Sequence, residues 1–354
     1  MAYTTINKST DYFNTVLYTG NGTAIGSGGK TVTGVGFQPD FVWGKARSGT
    51  DAVDNHELTD AVRGATKYLK SNTTSSETTS AESLTSFTND GFILGNNGQM
   101  NRNGNNCVAW NWKANGAGSS NTDGTITSTV SANTTAGFSI VKYTGNSGGS
   151  GYSATVGHGL GVAPKMIFVK CISHSAEWNV YYGDPTDFLI LNETNGTADD
   201  NTRWYDTAPT NSVFTLGVNS NVNNVGRDFI AYCFAEKTGY SKFGSYTGNG
   251  NADGSFIYTG FKPAFYIVKR TDGTNSWILK DNKRPGYNVN GTYLVPDTNI
   301  AEATGSGNLA TDEYSNGFKM RGTSTAINGS GNSYIYMAFG QSIVGSNNIP
   351  ATAR

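Results

Sequence analysis

Apolar and polar positions alternate in short runs along most of this chain. "SFIYTGF" (255–261) and "YIYMAF" (334–339) put aromatic residues on alternate positions at Phe256 and Tyr258 and at Tyr334 and Tyr336, the period of a strand whose successive side chains leave on opposite faces. Apolar runs are broken every ~8–12 residues by Gly, Asn and Asp, the spacing of strands and turns in sandwiches and barrels. No window sustains apolar residues at i, i+3, i+4 and i+7 over three turns. The best helical candidate, "SAESLTSF" (80–87), is short. The pattern predicts an all-β fold.

The pattern also repeats. "LYTGNG" (17–22) returns as "KYTGNS" (142–147) and "SYTGNG" (245–250). Each copy is followed by a Gly-x-x-Pro start and an apolar run closed by Lys: "GFQPDFVWGK" (36–45), "GVAPKMIFVK" (161–170) and "GFKPAFYIVK" (260–269). Pro39, Pro164 and Pro263 cannot donate to a ladder, so each is expected at the mouth of the strand it introduces. Then come "HELTD" (56–60), "WNVYYGD" (178–184) and "WILKD" (277–281), each ending in aspartate, and the pairs Tyr68-Leu69, Phe188-Leu189 and Tyr293-Leu294. A Gly/Phe strand follows, "DGFILG", "SVFTLG" and "NGFKM", and each unit closes on an aromatic strand, "CVAWNW" (107–112), "FIAYCF" (229–234) and "YIYMAF". Landmarks kept in one order three times define an internal triplication. The expected architecture is three tandem, related β-sandwich or jelly-roll-like modules at 16–114, 137–240 and 241–354. An N-terminal arm (1–15) precedes them, and residues 115–136, rich in Gly, Ser and Thr, read as a linker.

Composition fits strands joined by tight turns. Gly is 46 of 354 residues, charged residues are 14 %, aromatics 12 % and net charge is −1. Aromatic content and low net charge set the chain apart from a disordered one. No basic stripe suggests nucleic acid as a partner, and no apolar run approaches the ~20 residues of a spanning helix. No apolar segment of a secretory signal follows Met1. Cys107, Cys171 and Cys233 are scattered in apolar runs and read as buried free thiols, not as a disulfide frame or zinc site.

The densest set of titratable residues is "DAVDNHELTDAVRG" (51–64), with Asp51, Asp54, His56, Glu57, Asp60 and Arg63. Where this unit has His56, the other two have Trp178 and Trp277, which marks a packing position. Asp60 recurs as Asp184 and Asp281, the expected turn caps, and Arg63 is the expected ion-pair partner of Asp60. His158 and His174 lie beside no nucleophile motif. "NTDGT", "NADGS" and "TDGTN" lack the rest of a calcium loop. No cofactor, metal or catalytic residue is expected. One segment departs from the repeat: "TADDNTRWYDTAP" (197–209) places Arg203, Trp204 and Tyr205 in a loop, where they are either an aromatic pair tucked under that loop or candidate contacts to a sugar or a partner surface.

"TTINKSTDYFNTVLYTGNGT", "PDFVWGKAR", "HELTDAVRGATKYL", "SFTNDGFILG" and "VAWNWKA" together resemble a repeat domain of structural, tail-fibre-like proteins in marine tailed bacteriophages. The resemblance covers almost the whole chain and is closest in the first unit. The stretch after residue 114 departs from it. Matching His56, Leu58, Asp60, Arg63 and Gly64 implies a shared fold and no shared chemistry. It implies a virion protein, not an enzyme, made in the host cytoplasm and released by lysis. Its partners would be other virion proteins and a host-surface glycan, without nucleic acid or membrane insertion, and either a homo-oligomer such as a trimer or one chain of pseudo-threefold shape is expected. A tail fibre or tail-associated protein for host attachment is the leading expectation. A capsid decoration or head-fibre protein is the alternative, and a glycan-binding or glycan-degrading protein a remote one. Repeated units would multiply weak contacts.

Overall fold

A computed structural model describes residues 4–49, 54–147 and 153–342; Asp51 and residues 343–354 of the third expected unit lie outside the described residues. The fold is all-β, and all its multi-residue strand pairs are antiparallel. In the first third of the chain an opening strand, Phe13–Thr19, pairs with the closing strand, Asn106–Trp112. The closing strand pairs with the proline-led strand, Phe41–Ser48, and that with a fourth, Glu57–Asp60. The same order holds in the last third for Ser241–Thr247, Ser333–Ser342, Phe261–Arg270 and Ile278–Asp281. It holds again for Phe138–Thr144, Asp228–Phe234, Met166–Cys171 and Trp178–Tyr181, here inside an eight-stranded sheet.

Two expectations give way. Residues 115–136 are no linker: Ser119–Asn121 and Ser128–Asn133 are strands, and the second pairs with Phe138–Thr144 along its length. Ser and Thr lower the hydrophobicity of "TITSTVSA" but leave its β-branched alternation, and Ile126 and Val130 enter the core. Asp40 holds the entry, accepting from the N–H groups of Ala114 (2.7 Å) and Gly116 (3.2 Å). The helical candidate at 80–87 is a strand, Leu84–Thr88. Pro39 and Pro164 precede their strands. Pro263 lies within its strand, where the register shifts between Pro263 and Phe265, a bulge at the residue that cannot donate.

Side-chain alternation divides the core into four. Phe41, Trp43, Val108, Trp110 and Trp112 enter one large cluster shared with Phe138, Phe168, Tyr232, Phe234, Phe265, Ile267, Met337 and Phe339 from the other two sheets. The residues between them, such as Val42 and Ala109, face outward into a cluster confined to the first third. The second and third thirds each have an equivalent private cluster. Each private cluster is covered by a small outer sheet: Lys30–Val32, Gly91–Leu94 and Leu84–Thr88; Ala154–Gly157 and Val213–Leu216; Phe256–Tyr258, Gly317–Met320 and Thr311–Tyr314.

The three seams around the shared core repeat one set of hydrogen bonds in cyclic order. The Trp178 indole N–H donates to the carbonyl of Lys70 (2.8 Å), and that of Trp277 to the carbonyl of Ile190 (3.0 Å). The His56 ring nitrogen Nε2 meets the carbonyl of Val295 at 3.1 Å. Each acceptor directly follows the Leu of a Tyr-Leu or Phe-Leu pair. Seven residues beyond these acceptors, the N–H groups of Glu77, Thr197 and Glu302 donate to the carbonyls of Ile172, Thr271 and Arg47, at 2.9, 2.8 and 2.9 Å. First meets third, second meets first, third meets second.

The recurring "YTGN" has a physical reason in each copy. The hydroxyls of Tyr18, Tyr143 and Tyr246 donate to the carbonyls of Met100 (2.9 Å), Val222 (2.7 Å) and Ile327 (2.5 Å). At Gly20, Gly145 and Gly248 a Cβ would stand 2.2 to 2.4 Å from a main-chain oxygen, so no other residue fits. The N–H groups of Asn21, Asn146 and Asn249 donate to the side chains of Asn101, Asn223 and Asn328, at 2.9, 2.9 and 3.0 Å. These three asparagines are fully buried.

Candidate contact face and seam residues

The segment that carries the candidate contact residues folds inward, as the tucked-loop reading of it expects. Asp200 caps the short helix Asn201–Trp204 by accepting from the Thr202 N–H, and this turns Trp204 into the private core of the second third, 5.9 Å from the Tyr181 ring. Arg203 is buried as well. Its guanidinium lies 3.5 Å over the Phe188 ring and bonds Asp200 (3.1 Å) and the Asn179 side chain. Trp204 and Arg203 therefore cannot meet a receptor; Tyr205 alone of the three is exposed.

The acidic cluster is divided by strand alternation. His56 faces the seam, where Trp43 Nε1 donates to its Nδ1 (3.0 Å), fixing the proton on Nε2 toward Val295. Burial pushes the His56 pKa well down. Glu57 points the opposite way, into the private core, where Ser83 donates to it and burial pushes its pKa up to about 8. No acid–base pair forms between them.

The predicted turn aspartates separate. Asp60 Oδ1 accepts from the N–H groups of Val62 and Arg63, and Oδ2 takes the Arg63 Nε–H (2.5 Å) and the Tyr232 hydroxyl (2.8 Å) of the neighbouring third. Asp281 does the same with Lys283, Arg284 Nε (2.6 Å) and, across its seam, Trp110 Nε1 (3.0 Å). Tyr232 and Trp110 occupy one closing-strand position, two residues before Phe234 and Trp112. Asp184 has no such role; it accepts from the N–H and hydroxyl of Thr186 in an exposed turn. Counting from Trp178, the position of Asp60 falls on Tyr182, and the matching closing-strand residue of the third seam is Met337. That seam has neither the carboxylate nor the polar aromatic donor of the other two, and Asp184 stands two residues past the position.

The exposed aromatic residues gather elsewhere, on the small outer sheet of the last third. Phe256 and Tyr258 flank Ile257, which points inward; they are 46 % and 57 % exposed. Their strand partners place them beside Lys319 and Gly317, and across these stand Asp312 and Tyr314. The Tyr314 ring lies 5.9 Å from that of Phe256. Residues 287–290 extend the sheet: Asn290 exchanges main-chain bonds with Thr311, and the Asn288 side chain binds both the N–H and the carbonyl of Glu313. Tyr287 and Val289 alternate with these asparagines and are 73 % and 54 % exposed. A rim of charge borders the face: Lys319 on Asp253 and Arg321 on Asp312. At the places of Phe256 and Tyr258 the other outer sheets carry Thr31 and Thr33, and Thr155 and Gly157. Flat aromatic area edged by charge suits stacking on sugar rings or docking a partner surface.

A groove of about 310 Å³ runs where the last third meets the opening strand, lined by Thr10, Asn14, Thr15, Lys262, Lys283 and Gln341 among others. Among the described residues no group of three His, Cys, Asp or Glu is placed to hold a metal ion, and no helix is long and apolar enough to cross a membrane. Cys107, Cys171 and Cys233 are buried and unpaired with one another.

A family model described as a domain of unknown function, DUF7483, matches residues 8–342, and the chain belongs to that family. No curated protein and no solved structure matches it.

Proposed function

We propose that this DUF7483 member is a structural protein of the outer surface of a tailed-phage virion, a tail fibre or tail-associated protein that holds the particle to its host. In this reading the chain is three tandem β-sandwich modules closed on one another as a pseudo-trimer within one polypeptide. Heterologous contacts that return to their start make a ring. The observation that carries the attachment role is the exposed aromatic face of the last third, built on a sheet and present in one repeat of three. A rigid sheet presents such side chains with little ordering cost on contact. The ligand in this reading is a host-surface glycan, recognised by stacking on Phe256, Tyr258 and Tyr287.

The cyclic seams favour one second reading, a capsid decoration protein, because a pseudo-threefold molecule matches threefold positions of a shell. Immunogold electron microscopy of purified particles, with antibody to the whole chain, tests both. Gold on the tail supports attachment, gold over the head supports decoration, and unlabelled particles would overturn the virion reading. Release of oligosaccharides from host polysaccharide by the purified protein would instead make it a glycan-degrading enzyme.

A further inference from the structure

The last third contains a buried polar constellation that the described residues of the other two lack. Lys280, on the inner four-stranded sheet, and Glu313, on the outer small sheet, both point into the private core between them and are 1 % and 4 % exposed. Asn290, fully buried, stands between. Lys280 Nζ donates to the main-chain carbonyls of Asn290 (2.7 Å) and Thr292 (3.3 Å). The Asn290 side-chain amide is held at both ends: Nδ2 donates to Glu313 Oε1 (2.8 Å), and Oδ1 accepts from the Thr292 N–H (3.0 Å). Tyr266 donates to the same Glu313 oxygen at 2.6 Å. No carboxylate pairs with the Lys280 amine among the described residues. The positions matching Lys280 are Thr59 and Tyr181.

We propose that Lys280 and Asn290 join in an intramolecular isopeptide bond, with Glu313 carrying the proton. The neutral amine attacks Asn290 Cγ, reached from the adjacent main-chain carbonyl by side-chain rotation. The new Nζ–Cγ bond forms as the Cγ–Nδ2 bond breaks. Glu313, already on Nδ2, gives its proton to the leaving nitrogen and takes back the one lost by Nζ. Ammonia departs and no oxidant or cofactor is consumed. The Thr292 N–H on Oδ1 stabilises the oxygen that gains charge during attack. Burial favours the reactive forms of both partners, moving the Lys280 amine down to about 7 and the Glu313 carboxyl up. A cross-link here would tie the inner sheet to the loop that supports Tyr287 and Val289, stiffening the aromatic face.

Intact-mass spectrometry of the denatured full-length chain tests this. The expected mass is that of the sequence less one ammonia, with a branched tryptic peptide uncut at Lys280. Asn290 precedes Gly291, so a succinimide would lose the same mass; Lys280→Arg separates the two. Full mass in Lys280→Arg and in Glu313→Gln supports the cross-link. Full mass in the wild type, or an ammonia loss that persists in Lys280→Arg, would overturn it.

Discussion

At position 56 a histidine does what tryptophan does in the other two seams, and its strand neighbour compensates for the lost volume. Trp43 stands where Phe168 and Ile267 stand, and it donates to the imidazole. His56→Ala should therefore cost about 2–4 kcal/mol in urea unfolding, since it opens a cavity and strands the Trp43 N–H. The double variant Trp43→Ile with His56→Trp should recover part of what His56→Trp alone loses. Asp60→Ala, which leaves Arg63 buried beside Tyr232, should cost about 3–5 kcal/mol. Glu57 supplies a pH signature. Its folded pKa of about 8 lies above the unfolded one, so the folded state binds the extra proton. Stability from this group is complete below the unfolded pKa and is lost as pH rises through about 8. Glu57→Gln should remove that slope, becoming more stable relative to the wild type by at least about 1 kcal/mol between pH 5 and 8. The equivalence of His56 with Trp178 and Trp277 was legible in the sequence because each opens the next apolar run after the proline-led strand, although three more residues intervene before His56 than before either tryptophan. Asn101, Asn223 and Asn328 passed unnoticed among so many turn asparagines. Their signal is an apolar-Asn pair five residues before each closing strand.

Strands were legible wherever alternation was carried by aromatic or aliphatic residues, and lost where it was carried by Ser and Thr. "TITSTVSA" alternates as cleanly as "YIYMAF", but hydroxyls disguise it, and a linker was expected where two strands cover the edge of Phe138–Thr144. At Trp204 ring type left surface and interior both open, and the cap at Asp200 turns the ring inward. The real aromatic face was hidden because "SFIYTGF" reads as an ordinary strand: only its place as an outer sheet covering a private core shows which alternate residues meet water. Phe256→Ser with Tyr258→Ser should change stability by no more than about 1 kcal/mol, both side chains being half-exposed. On the proposed function, the same variant should lose binding to host cells in a particle or pull-down assay. Undiminished binding would remove this face from the attachment role.

At the scale of the molecule, the triplication was legible and left a pseudo-threefold shape open; which residues of the three copies meet was not. Local pattern says which face of a strand is apolar. It does not say that Phe41, Phe138 and Phe265 meet in one core, because those contacts span most of the chain. The seams also explain why each copy keeps its apolar inner face: alone, a repeat would expose Trp110, Trp112 and their equivalents to water. Ring closure thus predicts one cooperative unit, since loss of any third exposes the inner faces of the other two. Differential scanning calorimetry of the full chain measures this most directly. A single transition, with a van't Hoff to calorimetric enthalpy ratio of about one, is the expected result; two or three resolved transitions, one per third of the chain, would contradict it.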